Sequence, residues 1–111
     1  MVDQEEGFAA ISVITVHEYL LGVHLAYTGS IEVEDQLEKA RRAMTAFQII
    51  PLTTEIVEES SKVQAHMQTR GLTAGINDLY IASTALTLKL ALVTRNDQDF
   101  KRFPGLRVET Y

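Results

Sequence analysis

Ala91-Leu92-Val93-Thr94 decides the fold. It is an apolar run too short for a helix, and it follows a helical stretch that opens at Asn77-Asp78 and continues to Lys89. A strand covered on both faces reads as an unbroken apolar run, and alternation of such runs with helices marks a largely parallel sheet. Upstream the alternation repeats. Residues Phe8 to Val16 are apolar and rich in β-formers, which predicts a short buried strand ending near Ser12 or Val13. A helix is expected from about Thr15 to Tyr27, its stripe Tyr19, Leu20, Val23 and Tyr27 serving as core or dimer surface. Gly29-Ser30 breaks the chain before a second helix from about Val33 to Phe47. Gln48 to Leu52 reads as a strand closed by Pro51, and a third helix runs from Thr53 or Thr54 to about Thr69, with Gly71 as its C-terminal cap. Asn77 and Asp78 are both good N-cap types for the fourth helix. Downstream, Arg95 to Phe103 is polar enough for one helical turn, Pro104-Gly105 is a turn, and Leu106 to Glu109 is a last short strand. Strands alternating with helices give an α/β domain.

The chain has 111 residues, 46% of them hydrophobic and 23% charged, with a formal net charge of -5. That length suits one domain, here residues 1–111, and the apolar fraction argues against wholesale disorder. Cysteine is absent, which excludes a disulfide scaffold, zinc–thiolate and iron–sulfur sites, and a cysteine nucleophile. No apolar run reaches the ~18–20 residues of a membrane span, and the N-terminus is acidic where a signal peptide is basic. A reducing cytoplasm is the default compartment. The acidic balance argues against gripping nucleic acid through the chain's own positive field, but it permits phosphate to be reached through a bound cation.

In open parallel sheets, ligands bind at the C-terminal ends of the strands. Glu18 follows the first visible strand, Asp78 opens the fourth helix, and Asn96, Asp97 and Asp99 follow the Ala91–Thr94 strand. Hard oxygen ligands at matching ends suit Mg²⁺ or Mn²⁺, which keep several waters and need few protein carboxylates. Thr94 and Arg95 are weaker candidates for phosphate contact. Thr15-x-x-Glu18 also reads as a capping box, and Asp97 as part of a solvated turn. His17, next to Glu18, reads as a packed or surface residue, and His24 and His66 sit on helices with no partner at metal spacing. The chain shows no phosphate-cradling glycine loop and no Ser-His-Asp set.

Three segments resemble those of PIN-domain ribonucleases, especially the VapC-type toxins. Ile11-Ser12-Val13-Ile14-Thr15-Val16-His17-Glu18-Tyr19-Leu20-Leu21-Gly22 is similar to the S-x-I-T-x-x-E-L-x-x-G segment. Asn77-Asp78-Leu79-Tyr80-Ile81-Ala82-Ser83-Thr84-Ala85 resembles N-D-x-x-I-A-A-x-A. Leu92-Val93-Thr94-Arg95-Asn96-Asp97-Gln98-Asp99-Phe100, followed by Phe103-Pro104-Gly105-Leu106, resembles L-V-T-R-N-x-x-D-F and its x-P-G-L tail. The resemblance implies a three-layer PIN-like α/β fold and a metal-dependent endoribonuclease using Mg²⁺ or Mn²⁺. It implies a toxin of a toxin–antitoxin pair, with RNA as substrate, a cognate antitoxin as partner and a homodimeric assembly. Glu18 and Asp78 carry over as metal ligands. Asn96 stands where many members have Asp, with Asp99 the nearest carboxylate to serve instead.

The family begins with a strand carrying L-D-T-N, whose Asp is a metal ligand, and this sequence has no such segment. Asp3 does not match it, because Met1-Val2 is expected to be unable to form a strand and Gln4-Glu5-Glu6 departs from the pattern. The first strand and first helix of the family are therefore expected to be missing, as from a late start or a shortened product. In the family order 3-2-1-4-5 that strand is central. Its loss is expected to leave unpaired backbone on both neighbours and a monomer of poor stability. The alternative is a non-catalytic or shortened PIN-like protein that binds a partner or RNA without cleaving. A phosphoacceptor receiver domain needs an acidic pair after its first strand and a Lys after its last, and neither is present.

Overall fold

The computed structural model describes residues 2–3 and 9–110. In chain order the elements are β1 (Val2–Asp3), β2 (Ala9–Ser12), α1 (Val13–Ala26), α2 (Val33–Met44), β3 (Gln48–Ile50), α3 (Thr54–Gln68), α4 (Ile76–Leu88), β4 (Ala91–Val93), α5 (Asp97–Lys101) and β5 (Val108–Glu109). The expected alternation is present, so the α/β reading holds. Phe8, placed at the start of the first expected strand, and Gln4-Glu5-Glu6 lie outside the described residues.

The sheet order is β3-β2-β1-β4-β5. β2 pairs with β3, and β4 with β5, in parallel. The central slot is not bare. Val2 pairs with Ala10 and Leu92, and Asp3 with Ala9 and Ala91, antiparallel on both sides. The expectation that Met1-Val2 could not contribute a strand is thus corrected for Val2. Two residues suffice because pairing uses only backbone N–H and C=O groups, which any non-proline residue carries. The direction matters for function. Asp3 is registered against Ala9 and Ala91, the first residues of β2 and β4. It therefore lies toward the opposite end of the sheet from the loops that follow those strands.

The helices form for ordinary reasons of pattern. In α3, Ile56, Ser60, Val63 and Met67 are buried at spacings of three and four, one stripe of a helix. Thr53 caps its start, its hydroxyl accepting from the Ile56 N–H at 3.2 Å. Its end follows expectation: Gly71 takes φ +71° and the Leu72 N–H returns to the Met67 carbonyl. α4 is the central helix, buried continuously from Ile81 to Ala85, and packs along α3. The core joins these two helices to Ala10, Ile50, Leu92, Phe100 and Phe103. α4 does not start as expected. Gly75 is its N-cap, extended at φ -62° and ψ 149°, so Asn77 and Asp78 lie within the first turn. Its end is capped by Lys89 in the left-handed region at φ 57°.

α1 begins two residues earlier than expected, because the Ser12 hydroxyl accepts from the Ile14 N–H at 3.0 Å. That displaces Thr15 from the cap and removes the capping-box reading of Thr15 and Glu18. α1 packs on α2, yet none of its residues is buried. Leu25 is 70% exposed and Tyr19 52% exposed. Among the described residues, no helix is long and apolar enough to cross a membrane.

Candidate active site

A cavity of about 230 Å³ opens where β2 and β4 end, lined by Thr15, Glu18, Asp78, Ile81, Leu92, Thr94, Asn96 and Phe100. Four sequence candidates, Glu18, Asp78, Thr94 and Asn96, therefore meet at one place. Their convergence follows from the topology. β2 leads into α1, which carries Thr15 and Glu18 three residues apart and so on neighbouring positions of one helix face. β4 leads directly to Thr94 and Asn96, while Asp78 comes from the first turn of α4. Ile81, Leu92 and Phe100 are buried and make an apolar floor beneath a polar rim.

The rim is electrostatically uneven. Asp78 is half-buried, and its carboxyl is held above the ordinary value. Burial is the main cause and the negative charge of Asp99 adds to it, while the Arg102 guanidinium pulls the other way. A carboxylate in the first turn of a helix is expected from sequence to be shifted down by the helix dipole. Here desolvation and a like charge outweigh that effect. Asp99 is exposed on α5, outside the cavity lining, and acts on the site through its field at Asp78. Arg95 is likewise exposed and outside the lining. The Thr94 hydroxyl accepts from the Asn96 N–H at 3.0 Å, which fixes the turn that brings Asn96 to the rim. Asp97 is drawn into α5 by Lys101, 2.8 Å away, and this contact lowers its carboxyl below the ordinary range. It belongs to the turn, as its sequence context suggested.

Two groups escaped the sequence reading. The Thr15 hydroxyl is buried at the cavity and meets no hydrogen-bond partner. Such an orphan calls for a polar group beside it. Arg102, at the C-terminal end of α5, donates from Nε to the Asp99 carbonyl at 3.0 Å and from Nη1 to the Thr73 carbonyl, 29 residues away in sequence. Its position beside Phe103 carried no sequence signal of that link.

The donors suit a hard divalent cation of the magnesium type. Two carboxylates, an amide and an orphan hydroxyl surround the space, and such ions keep several waters and take one or two protein carboxylates. The described residues hold no group of three His, Cys, Asp or Glu placed to grip a metal by themselves.

The sequence model of the PIN domain matches residues 2–106. The chain is 33% identical over 104 residues to the protein named Ribonuclease VapC1 of Rickettsia felis, covering 94% of this chain and 77% of that one. In three dimensions it resembles VapBC2 from Rickettsia felis bound to a DNA fragment from their promoter, with a TM-score of 0.82 and 31% identity over 94% of this chain and 75% of that chain. It also resembles a toxin–antitoxin complex from Klebsiella pneumoniae, with a TM-score of 0.67 and 31% identity over 91% of this chain and 72% of that chain.

Proposed function

The chain belongs to the PIN-domain family, in its VapC-type branch, and from that premise we propose that it is a metal-dependent endoribonuclease hydrolysing RNA phosphodiester bonds, the toxin of a toxin–antitoxin pair. The observation that carries the reading is the meeting of Glu18, Asp78, Thr94 and Asn96 at one cavity beyond the strand ends. The name of the Rickettsia felis relative supports the ribonuclease activity. The Klebsiella pneumoniae complex supports an antitoxin as the protein partner. A homodimer and a cytoplasmic location complete the proposal.

Each residue has a part. Glu18 and Asp78 would hold Mg²⁺ or Mn²⁺, with Asp99 adding negative potential from α5. The bound ion would supply positive charge at the phosphate and make an attacking water more acidic. The Asn96 amide, able both to donate and to accept, orients water or a phosphate oxygen at the rim. The Thr15 hydroxyl gives the same water a partner within the cavity. Thr94 and Arg95 lie on the approach of the phosphate, and Arg95 adds a positive charge there. Water attacks phosphorus and releases its proton to solvent, the bond to the leaving 3′ oxygen breaks and that oxygen takes a proton from solvent, and no covalent intermediate with the protein is required. Partly buried Asp78 beside Asp99 is under-compensated negative charge, which favours a cation and repels RNA without one.

A second reading is a PIN-like protein that binds a partner or RNA without cleaving. It is favoured by Asn96 at a position often acidic and by the absence of a three-ligand group among the described residues. Calorimetric titration with Mn²⁺ separates the two. The nuclease reading expects saturable binding that Glu18→Gln and Asp78→Asn each weaken. No binding by the wild-type chain would favour the second reading.

A further inference from the structure

We propose that Arg102 is a positioning residue whose guanidinium straps the loop leading into α4 to α5, and so fixes Asp78 at the cavity relative to Asp99 outside it. The proposal rests on the nuclease reading for its catalytic consequence, and on the hydrogen bonds for its structural one. Side-chain hydrogen bonds elsewhere in the described residues mostly join positions four or fewer apart, whereas the bond from Arg102 Nη1 to the Thr73 carbonyl spans 29. Thr73 lies in the loop between α3 and α4, two residues before the Gly75 N-cap. Gly75 makes no side-chain capping bond, so this end of α4 lacks the local anchor that Thr53 gives α3. The guanidinium supplies an anchor from outside. Its Nε holds the Asp99 carbonyl at 3.0 Å on the other side, and its carbon lies 5.9 Å from the ring centre of buried Phe103.

The geometry requires arginine. Two carbonyls are met by two nitrogens of one planar fork, with the positive charge spread between two carboxylate-bearing segments. Lysine keeps the charge but concentrates it on one nitrogen at the end of a flexible stem. A residue that merely attracted phosphate, or merely offset Asp78, would be replaceable by lysine. A strap would not.

The test compares wild type, Arg102→Lys and Arg102→Met by amide hydrogen exchange and by steady-state RNA cleavage with Mn²⁺. In both variants the amides of residues 79–82, the first hydrogen-bonded turn of α4, are expected to exchange about tenfold faster or more, with those of α3 unchanged, because the opening is local. The turnover number is expected to fall about tenfold or more in both, with KM within about twofold of wild type, because misplacement costs the chemical step rather than RNA binding. Unchanged exchange over residues 79–82 overturns the proposal. So does full recovery in Arg102→Lys, a rise confined to KM, or equal acceleration in α3. If wild type cleaves no RNA, the nuclease reading fails, and the exchange measurement still decides the strap.

Discussion

Replacing Ser83 with alanine should make this protein more stable. Ser83 has 0% exposure in the middle of α4, and its hydroxyl meets no hydrogen-bond partner. In the unfolded chain the same hydroxyl is hydrated, so folding strips its water without replacing it. An unmet buried donor or acceptor costs about 1–3 kcal/mol. Alanine is also the better helix former by roughly half a kcal/mol. Against these stands the small void left by one oxygen atom. The net expectation is a gain of about 1–2 kcal/mol. With a urea dependence of about 2 kcal/mol per molar, the unfolding midpoint should rise by about 0.5–1 M at unchanged slope. Thr84, one residue on and 1% exposed, is the control. Its hydroxyl donates to the Tyr80 carbonyl at 2.7 Å, so Thr84→Ala should lose stability where Ser83→Ala gains it. The family pattern N-D-x-x-I-A-A-x-A has alanine where this chain has Ser83, and Ser83 does not line the cavity. RNA cleavage should therefore be unaffected. A midpoint for Ser83→Ala at or below wild type, at the same slope, would refute the reasoning.

Three further outcomes are expected. Because burial and Asp99 raise the Asp78 carboxyl above 3.8, the folded chain holds that proton more tightly than the unfolded one. Its contribution to stability is then fullest below pH 3.8 and is lost as pH rises through the folded value. Asp78→Asn should gain on wild type with rising pH when urea midpoints are compared from pH 4 to 7 without metal, and a gap that narrows would contradict this. Lys89→Gly relieves a side chain held at φ 57° and should stabilise by about 0.5–1 kcal/mol, seen as a higher melting temperature; a lower one would show that Lys89 makes a compensating contact. Asn96→Asp adds a carboxylate at the rim and should tighten Mn²⁺ binding about tenfold in calorimetric titration, whereas unchanged affinity would place Asn96 outside the ion's reach.

The parts of the fold that were legible rest on side-chain patterns. The apolar run at Ala91–Val93 and the buried stripe of α3 each declare a burial geometry. The rule that ligands gather beyond strand ends groups Glu18, Asp78 and Asn96, which line the cavity, but also Asp97 and Asp99, which do not. What escaped was carried by the backbone or by long-range links. Val2–Asp3 pairs through peptide groups alone, and two residues hold no periodicity to read. Gly75 caps α4 by conformation without a side-chain bond, so Asn77 and Asp78 drew the assignment instead. Ser12 takes the capping role that the Thr15-x-x-Glu18 spacing predicts for Thr15. The upward shift of Asp78 depends first on its burial and then on Asp99, 21 positions on in sequence. The Arg102 link to Thr73 is a tertiary contact with no local mark.

The central claim is that the acidic cavity cleaves RNA. It is met most directly by incubating a mixed RNA pool with this chain and Mn²⁺, beside Asp78→Asn and a sample containing EDTA. The account predicts cleavage by wild type that disappears with the substitution and with the chelator. RNA left intact by wild type, or cut equally by Asp78→Asn, would contradict it.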